Sequence, residues 1–193
     1  MRFVTTLTAV CILSAATSAQ TTIRGKVEDA QGTANQFYLD GTNIPVVSNV
    51  LDLNQWQGQH AFLDVTNIGT VAAPMLRIDA ATGTTKMMDM GNLRLGQTKT
   101  WEVFAPTGTA AFIFMDWTAN AGFLPIPGFG GAWLMGSQPF LLAGGITFGG
   151  VYQTTYTTPN NPALIGLEVS SQAFVGAQNT WEFSNVDSRT VEN

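Results

Sequence analysis

Cysteine and histidine each occur once in this chain of 193 residues, as Cys11 and His60. A single cysteine excludes an internal disulfide, and one Cys with one His cannot supply the ligands of a zinc site. Charge is scarce as well: Asp, Glu, Lys and Arg make up 11% of the chain, against about a quarter in an ordinary globular protein. The eight basic residues are scattered singly and the net charge is −5. That excludes a nucleic-acid partner, because phosphate binding draws on concentrated positive charge. No apolar run reaches the ~20 residues of a spanning helix, so no membrane insertion is expected. Gly-x-Ser-x-Gly, Gly-Lys-Ser/Thr and Asn-x-Ser/Thr are all absent, which removes the nucleophile elbow, the phosphate loop and N-glycosylation.

The N-terminus shows Arg2, then an uncharged and largely apolar run from Phe3 to Ala16, then Thr17-Ser18-Ala19. This is the order of a cleavable export signal, with small residues three and one positions before the cut. Residues 1–19 are therefore expected to be a signal peptide and Gln20 the first residue of the exported chain, secreted or held at the cell exterior, the periplasm included. Cys11 lies inside the apolar run and would leave with it, and Val10 before it is too bulky for a lipoprotein site. The C-terminus from Asp187 is polar and carries no hydrophobic tail, so no anchor is expected.

Gly, Thr, Asn and Gln are abundant, and glycines or prolines divide the chain into runs of four to eight residues rich in Val, Ile, Phe, Thr, Trp and Tyr. No apolar stripe at helical spacing lasts three turns, so the pattern is all-β. Strands are expected near Ile23–Val27, Gln36–Leu39, Ile44–Val47, Ala61–Val65 and Met75–Ile78, with one helical turn capped by Asp52 between the third and fourth. Five short strands with that turn fit a small OB-like barrel over residues 20–83. Ala80-Ala-Thr-Gly-Thr-Thr interrupts the pattern and marks a boundary. Beyond it, strands near Thr100–Phe104, Ala111–Asp116, Ala132–Met135, Ile146–Phe148, Tyr152–Thr157, Ile165–Ala173 and Trp181–Ser184 fit an antiparallel β-sandwich over residues 84–193. Ala111-Phe-Ile-Phe-Met is apolar on both faces and is expected at the centre of a sheet. Leu167, Val169 and Ser171 would share one face of a strand, with Glu168, Ser170 and Gln172 on the other.

Two stretches carry a resemblance. Gly25-Lys-Val-Glu-Asp, Phe37-Tyr-Leu-Asp-Gly-Thr-Asn-Ile-Pro-Val, Leu51-Asp-Leu, Trp56-Gln-Gly-Gln and Ala73-Pro-Met-Leu-Arg-Ile resemble a secreted OB-like module. Pro159-Asn-Asn-Pro-Ala-Leu-Ile-Gly-Leu, Ser171-Gln-Ala-Phe-Val and Phe183-Ser-Asn-Val resemble the end of a β-sandwich domain found in large exported proteins of environmental bacteria. Together they make the chain similar to an uncharacterised type of exported bacterial β-protein, and they imply fold rather than chemistry.

Chemistry-bearing residues do not assemble into a motif. His60 and Asp64 share a strand face but stand too far apart for a dyad. The carboxylates sit singly at turns (Asp29, Asp40, Asp52) or at outward strand positions (Glu102, Glu168, Glu182), which reads as surface charge rather than as a glycosidase pair. Asp40-Gly-Thr-Asn offers two oxygen donors but no calcium loop, and a hairpin turn closed by Asx hydrogen bonds is expected there. The glycine-rich Gly128-Phe-Gly-Gly and Gly144-Gly-Ile-Thr-Phe-Gly-Gly read as loops and bulges. No cofactor and no metal is expected.

The richest stretch is Trp117 to Leu134, where Trp117, Phe123, Phe129 and Trp133 stand among prolines and glycines. Two readings compete: the rings cover one end of the sandwich, or some stand exposed to stack on sugar rings or meet a partner. Tyr38 and Trp56 offer a similar face on the first module. The expected function is a secreted, non-catalytic binding or structural module, with polysaccharide or another cell-exterior protein as partner. A carbohydrate-binding module is the alternative, and a glycan-active hydrolase a third reading.

Overall fold

The computed structural model describes residues 20–30, 36–70, 73–117, 122–136 and 138–193. The expected signal peptide, residues 1–19, lies outside the described residues. Among the described residues every regular element except two 3₁₀ turns is a strand, so the fold is all-β as expected.

The first five strands, β1 (Thr21–Asp29), β2 (Phe37–Leu39), β3 (Pro45–Val47), β4 (His60–Asn67) and β5 (Leu76–Gly83), close into a barrel in the order β1-β2-β3-β5-β4. β4 returns to pair with β1, and β3 runs parallel to β5 while the other pairs are antiparallel. Alternation places Ile23, Val27, Leu63, Val65, Leu76 and Ile78 inside, each at most 1% exposed. Leu53 of the 3₁₀ turn Leu53–Gln55 joins this core, and Asp52 caps the turn by accepting from the Asn54 N–H at 3.1 Å. The interruption read at Ala80 is not a strand end, because β5 continues through Ala80-Ala-Thr-Gly paired with β4.

The remaining strands are β6 (Met88–Asp89), β7 (Thr98–Phe104), β8 (Ala110–Asp116), β9 (Leu124–Pro125), β10 (Ala132–Trp133), β11 (Phe140–Ile146), β12 (Val151–Thr157), β13 (Glu168–Ala177) and β14 (Thr180–Thr190). They form a four-stranded sheet β11-β8-β13-β14, a three-stranded sheet β12-β7-β6 and the short β9-β10 pair. Met88, Met90, Trp101, Ile113, Met115, Val169 and Ala173 belong to the core of this half. β8 sits between β11 and β13, as its two apolar faces predict.

Some expectations need correction. The strand read at Ile146–Phe148 is β11 and ends at Ile146, while Thr147–Gly150 turns into β12. Gly144 and Gly145, read as loop or bulge, lie inside β11, just after its bulge between Leu141 and Ala143. A Cβ on Gly145 would stand 2.4 Å from the Tyr152 ring and one on Gly144 2.8 Å from Phe112, so these glycines make room for rings rather than for a bend. β13 begins three residues later than expected, after the turn Pro162–Leu164, and β14 runs six residues further, taking in the polar Asp187-Ser-Arg-Thr.

The outer face of the four-stranded sheet does not meet water throughout. Val186 of β14 and Phe123, Ala132, Leu134 and Met135 of the β9–β10 segment belong to the same buried cluster as the barrel core. Ser170 and Gln172, expected on an outward polar face, are 8% and 0% exposed for this reason. Gly41 lets β14 approach the barrel: its φ is +74°, and a Cβ there would come within 2.8 Å of Val186.

Candidate functional site

Polar side chains that would attract attention as a site serve the backbone instead. Gln172 accepts from the Leu134 N–H and donates to the carbonyls of Ala132 and Ser184, each at 3.0 Å. It thereby fastens the β9–β10 segment to the sheet. Asn185 accepts from the N–H groups of Met87 and Met88 at 2.9 and 3.0 Å and donates to the carbonyls of Met88 and Val186. Asp187, 2% exposed, accepts from the Met90 N–H and pairs with Lys86 and Arg189. The Gln-Ala and Ser-Asn strands singled out in the sequence thus pin a loop and a linker.

The lone histidine sits beside a paired cluster of charges. His60 pairs across strands with Lys26, which bridges Glu28 and Asp40 at 2.6 and 3.1 Å. Partial burial, then the positive charges of Lys26 and Lys86, hold its pKa below the usual histidine value against the pull of Asp40 and Asp187. Phe62, carrying the Arg24 guanidinium 4.1 Å above its ring, stands between His60 and Asp64 along the strand face. Asp64 itself accepts from Thr22.

Other carboxylates are paired as well: Arg77 holds Asp79, Arg94 holds Glu192, and Glu102 accepts from Gln153. In the Asp40 turn it is Thr42, not an Asx residue, that closes the hydrogen bonds, donating to the Leu39 carbonyl and accepting from the Ile44 N–H. Among the described residues no three His, Asp or Glu side chains gather to hold a metal.

What stands out is a continuous array of rings on the outer face of the four-stranded sheet. Register sets it row by row: Ile146–Ala110–Gly176–Trp181, then Gly144–Phe112–Phe174–Phe183, then Leu141–Phe114–Gln172–Val186. Phe174 stacks on Trp181 at 4.8 Å and 19°, and Trp181 on Phe112 at 6.3 Å and 25°. Phe183 lies 5.0 Å from Phe174 and 5.9 Å from Trp133, which meets Phe114 edge-on at 5.2 Å. Phe129 reaches over from the loop to Phe174 at 5.3 Å and remains 38% exposed. The barrel and the β9–β10 segment cover Phe114, Gln172 and Val186 of the third row, whereas the first two rows stay partly open, with Leu141 55% and Ile146 61% exposed at the sheet's edge. Such a surface offers ring faces and apolar contact.

Of the residues singled out from sequence, Phe129 and Trp133 come together in this array. Trp117 packs on Tyr156 at 6.3 Å beside the sandwich core, and Phe123 is 7% exposed in the barrel-side cluster. Trp56 leans on the barrel core, and Tyr38 is half-buried on β2. Residues 118–121 of the same stretch lie outside the described residues. Sequence reasoning missed Phe112, Phe114, Phe174, Trp181 and Phe183. Their signal is the two-residue spacing of rings, Phe112 with Phe114 and Trp181 with Phe183, which marks one face of a strand. Comparison with known protein families, with curated proteins and with solved structures finds no match for this chain.

Proposed function

We propose that this chain is an exported, non-catalytic β-protein that acts at the cell exterior by binding, and that it binds through the ring array on the outer face of the four-stranded sheet. The observation that carries the reading is Phe129, 38% exposed and seated on Phe174, beside the stacked pair Phe174–Trp181. Aromatic surface left at a protein's exterior is costly to leave without a partner. The pinning roles of Gln172, Asn185 and Asp187 agree with this reading, because they leave the conspicuous polar side chains engaged in holding the structure.

A carbohydrate-binding module is the second reading, favoured by half-exposed rings able to stack on the C–H face of a sugar. A glycan hydrolase would need two carboxylates facing each other across this surface. The next row along, Asp116–Ser170–Ser188, carries a carboxylate, Asp116, which is 2% exposed.

The test is a glycan-array screen of the exported chain, with tryptophan emission followed on every hit. Saturable binding that quenches emission and falls at least tenfold in Phe129→Ala and Trp181→Ala supports the carbohydrate reading. No hit directs the search to a protein partner. A glycan bound with unchanged affinity by both variants would move the site off the array.

A further inference from the structure

We infer that β11 is a self-association edge: two copies of the chain join antiparallel along Phe140–Ile146 and extend the four-stranded sheet across a two-fold axis. This stands on the edge strand alone and does not depend on what the ring array binds.

The two edges of this sheet are treated differently. Along β14, Gly130 of the loop donates to the Trp181 carbonyl and accepts from the Phe183 N–H, both at 2.8 Å. Further along the same strand, Asn185 and Asp187 reach the backbone of Met87, Met88 and Met90. β11 has β8 on one side only. Alternate residues of an antiparallel strand turn both backbone groups the same way, so half of those on β11 face outward. Among the described residues no backbone hydrogen bond reaches them.

Edge strands are ordinarily guarded by charge, proline, bulges or shortness. Here no charged residue and no histidine occurs from Trp117 through Leu167, and no proline lies within β11. One bulge between Leu141 and Ala143 is the only irregularity. The side chains along the edge are apolar and open: Phe140 is 42% exposed, Leu141 55%, Ile146 61% and Phe148, just beyond the strand, 86%.

The order of those side chains selects the occupant. Large apolar residues stand at both ends, Phe140-Leu141 and Ile146 with Phe148, and the small Ala143, Gly144 and Gly145 lie between. A two-fold axis through the middle brings the first end of one strand beside the last end of the other, while the small residues let the backbones approach. The same contact keeps a chain of net charge −5 from repelling its copy, because the facing segments carry no charge. One short strand and its flanks bury less than the ~1,600 Å² of a standard interface, so a weak, reversible dimer is expected.

Sedimentation equilibrium of the exported chain from low to high micromolar concentration tests this. The expected result is a monomer–dimer equilibrium that shifts at least tenfold toward monomer in Leu141→Lys and in Ile146→Lys. Both sites are more than half exposed, so far-UV circular dichroism and the melting midpoint of the monomer should stay unchanged. Amide exchange on β11 should slow with concentration in the parent chain alone. A monomer at every concentration, or a dimer that survives both lysines with fast β11 amides, overturns the proposal. The first outcome would leave this edge to a strand from a different protein.

Discussion

Asn185 is 2% exposed with its amide oxygen and nitrogen fully engaged by backbone groups of the linker and of its own strand. Replacing it by leucine leaves the N–H groups of Met87 and Met88 and the carbonyl of Met88 buried without their partner. Orphaned buried polar groups are costly, so Asn185→Leu should lose about 2–4 kcal/mol, read from the urea midpoint at constant slope. His60 gives a pH signature. Its folded pKa lies below the unfolded value of 6.5, so below that pH the unfolded chain takes up the proton first. The stability present above pH 6.5 therefore declines as pH falls toward the folded pKa. His60→Gln should flatten that part of the stability curve, measured as urea midpoint against pH. The sequence marks Asn185 as part of a motif, but not what it holds, because its partners lie almost a hundred residues away.

Strands are the most legible feature of the chain, since period-two alternation and turn residues are local signals. All five barrel strands and the capped turn at Asp52 follow from them. The sequence hides β11 because Gly144-Gly145 reads as a break, and only the facing rings of Phe112 and Tyr152 explain glycine inside a strand. Gly145→Val should therefore destabilise by about 1–3 kcal/mol through overpacking against Tyr152. Thermal unfolding of the variant checks this, and an unchanged midpoint would mean that the ring swings away freely. β13 misleads in another way. Its alternation is real, but the face carrying Ser170 and Gln172 is covered by the barrel and the β9–β10 segment, a layer that no strand pattern announces.

Across the whole molecule, the barrel and the sandwich are not independent beads. Val186 and the segment from Phe123 to Met135 complete the barrel-side core. Arg24 of β1 reaches Glu182 of β14 at 3.5 Å and donates to Thr84 at 3.1 Å. A shared core predicts one cooperative transition: calorimetric and van't Hoff enthalpies should agree, and residues 20–83 alone should show no melting transition. Two separate transitions would mean that the contact adds little. The division into modules at residue 83 came from a change in strand pattern, which reports chain order but not which surfaces become one interior.

The bond between Asn185 and Met87 spans 98 residues and ties the link between the halves to β14. A polypeptide that emerges N-terminus first, from a ribosome or through a membrane pore, has its barrel strands in hand long before it has the residues that secure them. Until β14 arrives, the barrel's flank at Gly41 stays bare and the linker unfastened. Maturation of such a chain is timed by β14, and an intermediate stalled before β14 would be the form most exposed to proteases and to sticky association with its own kind.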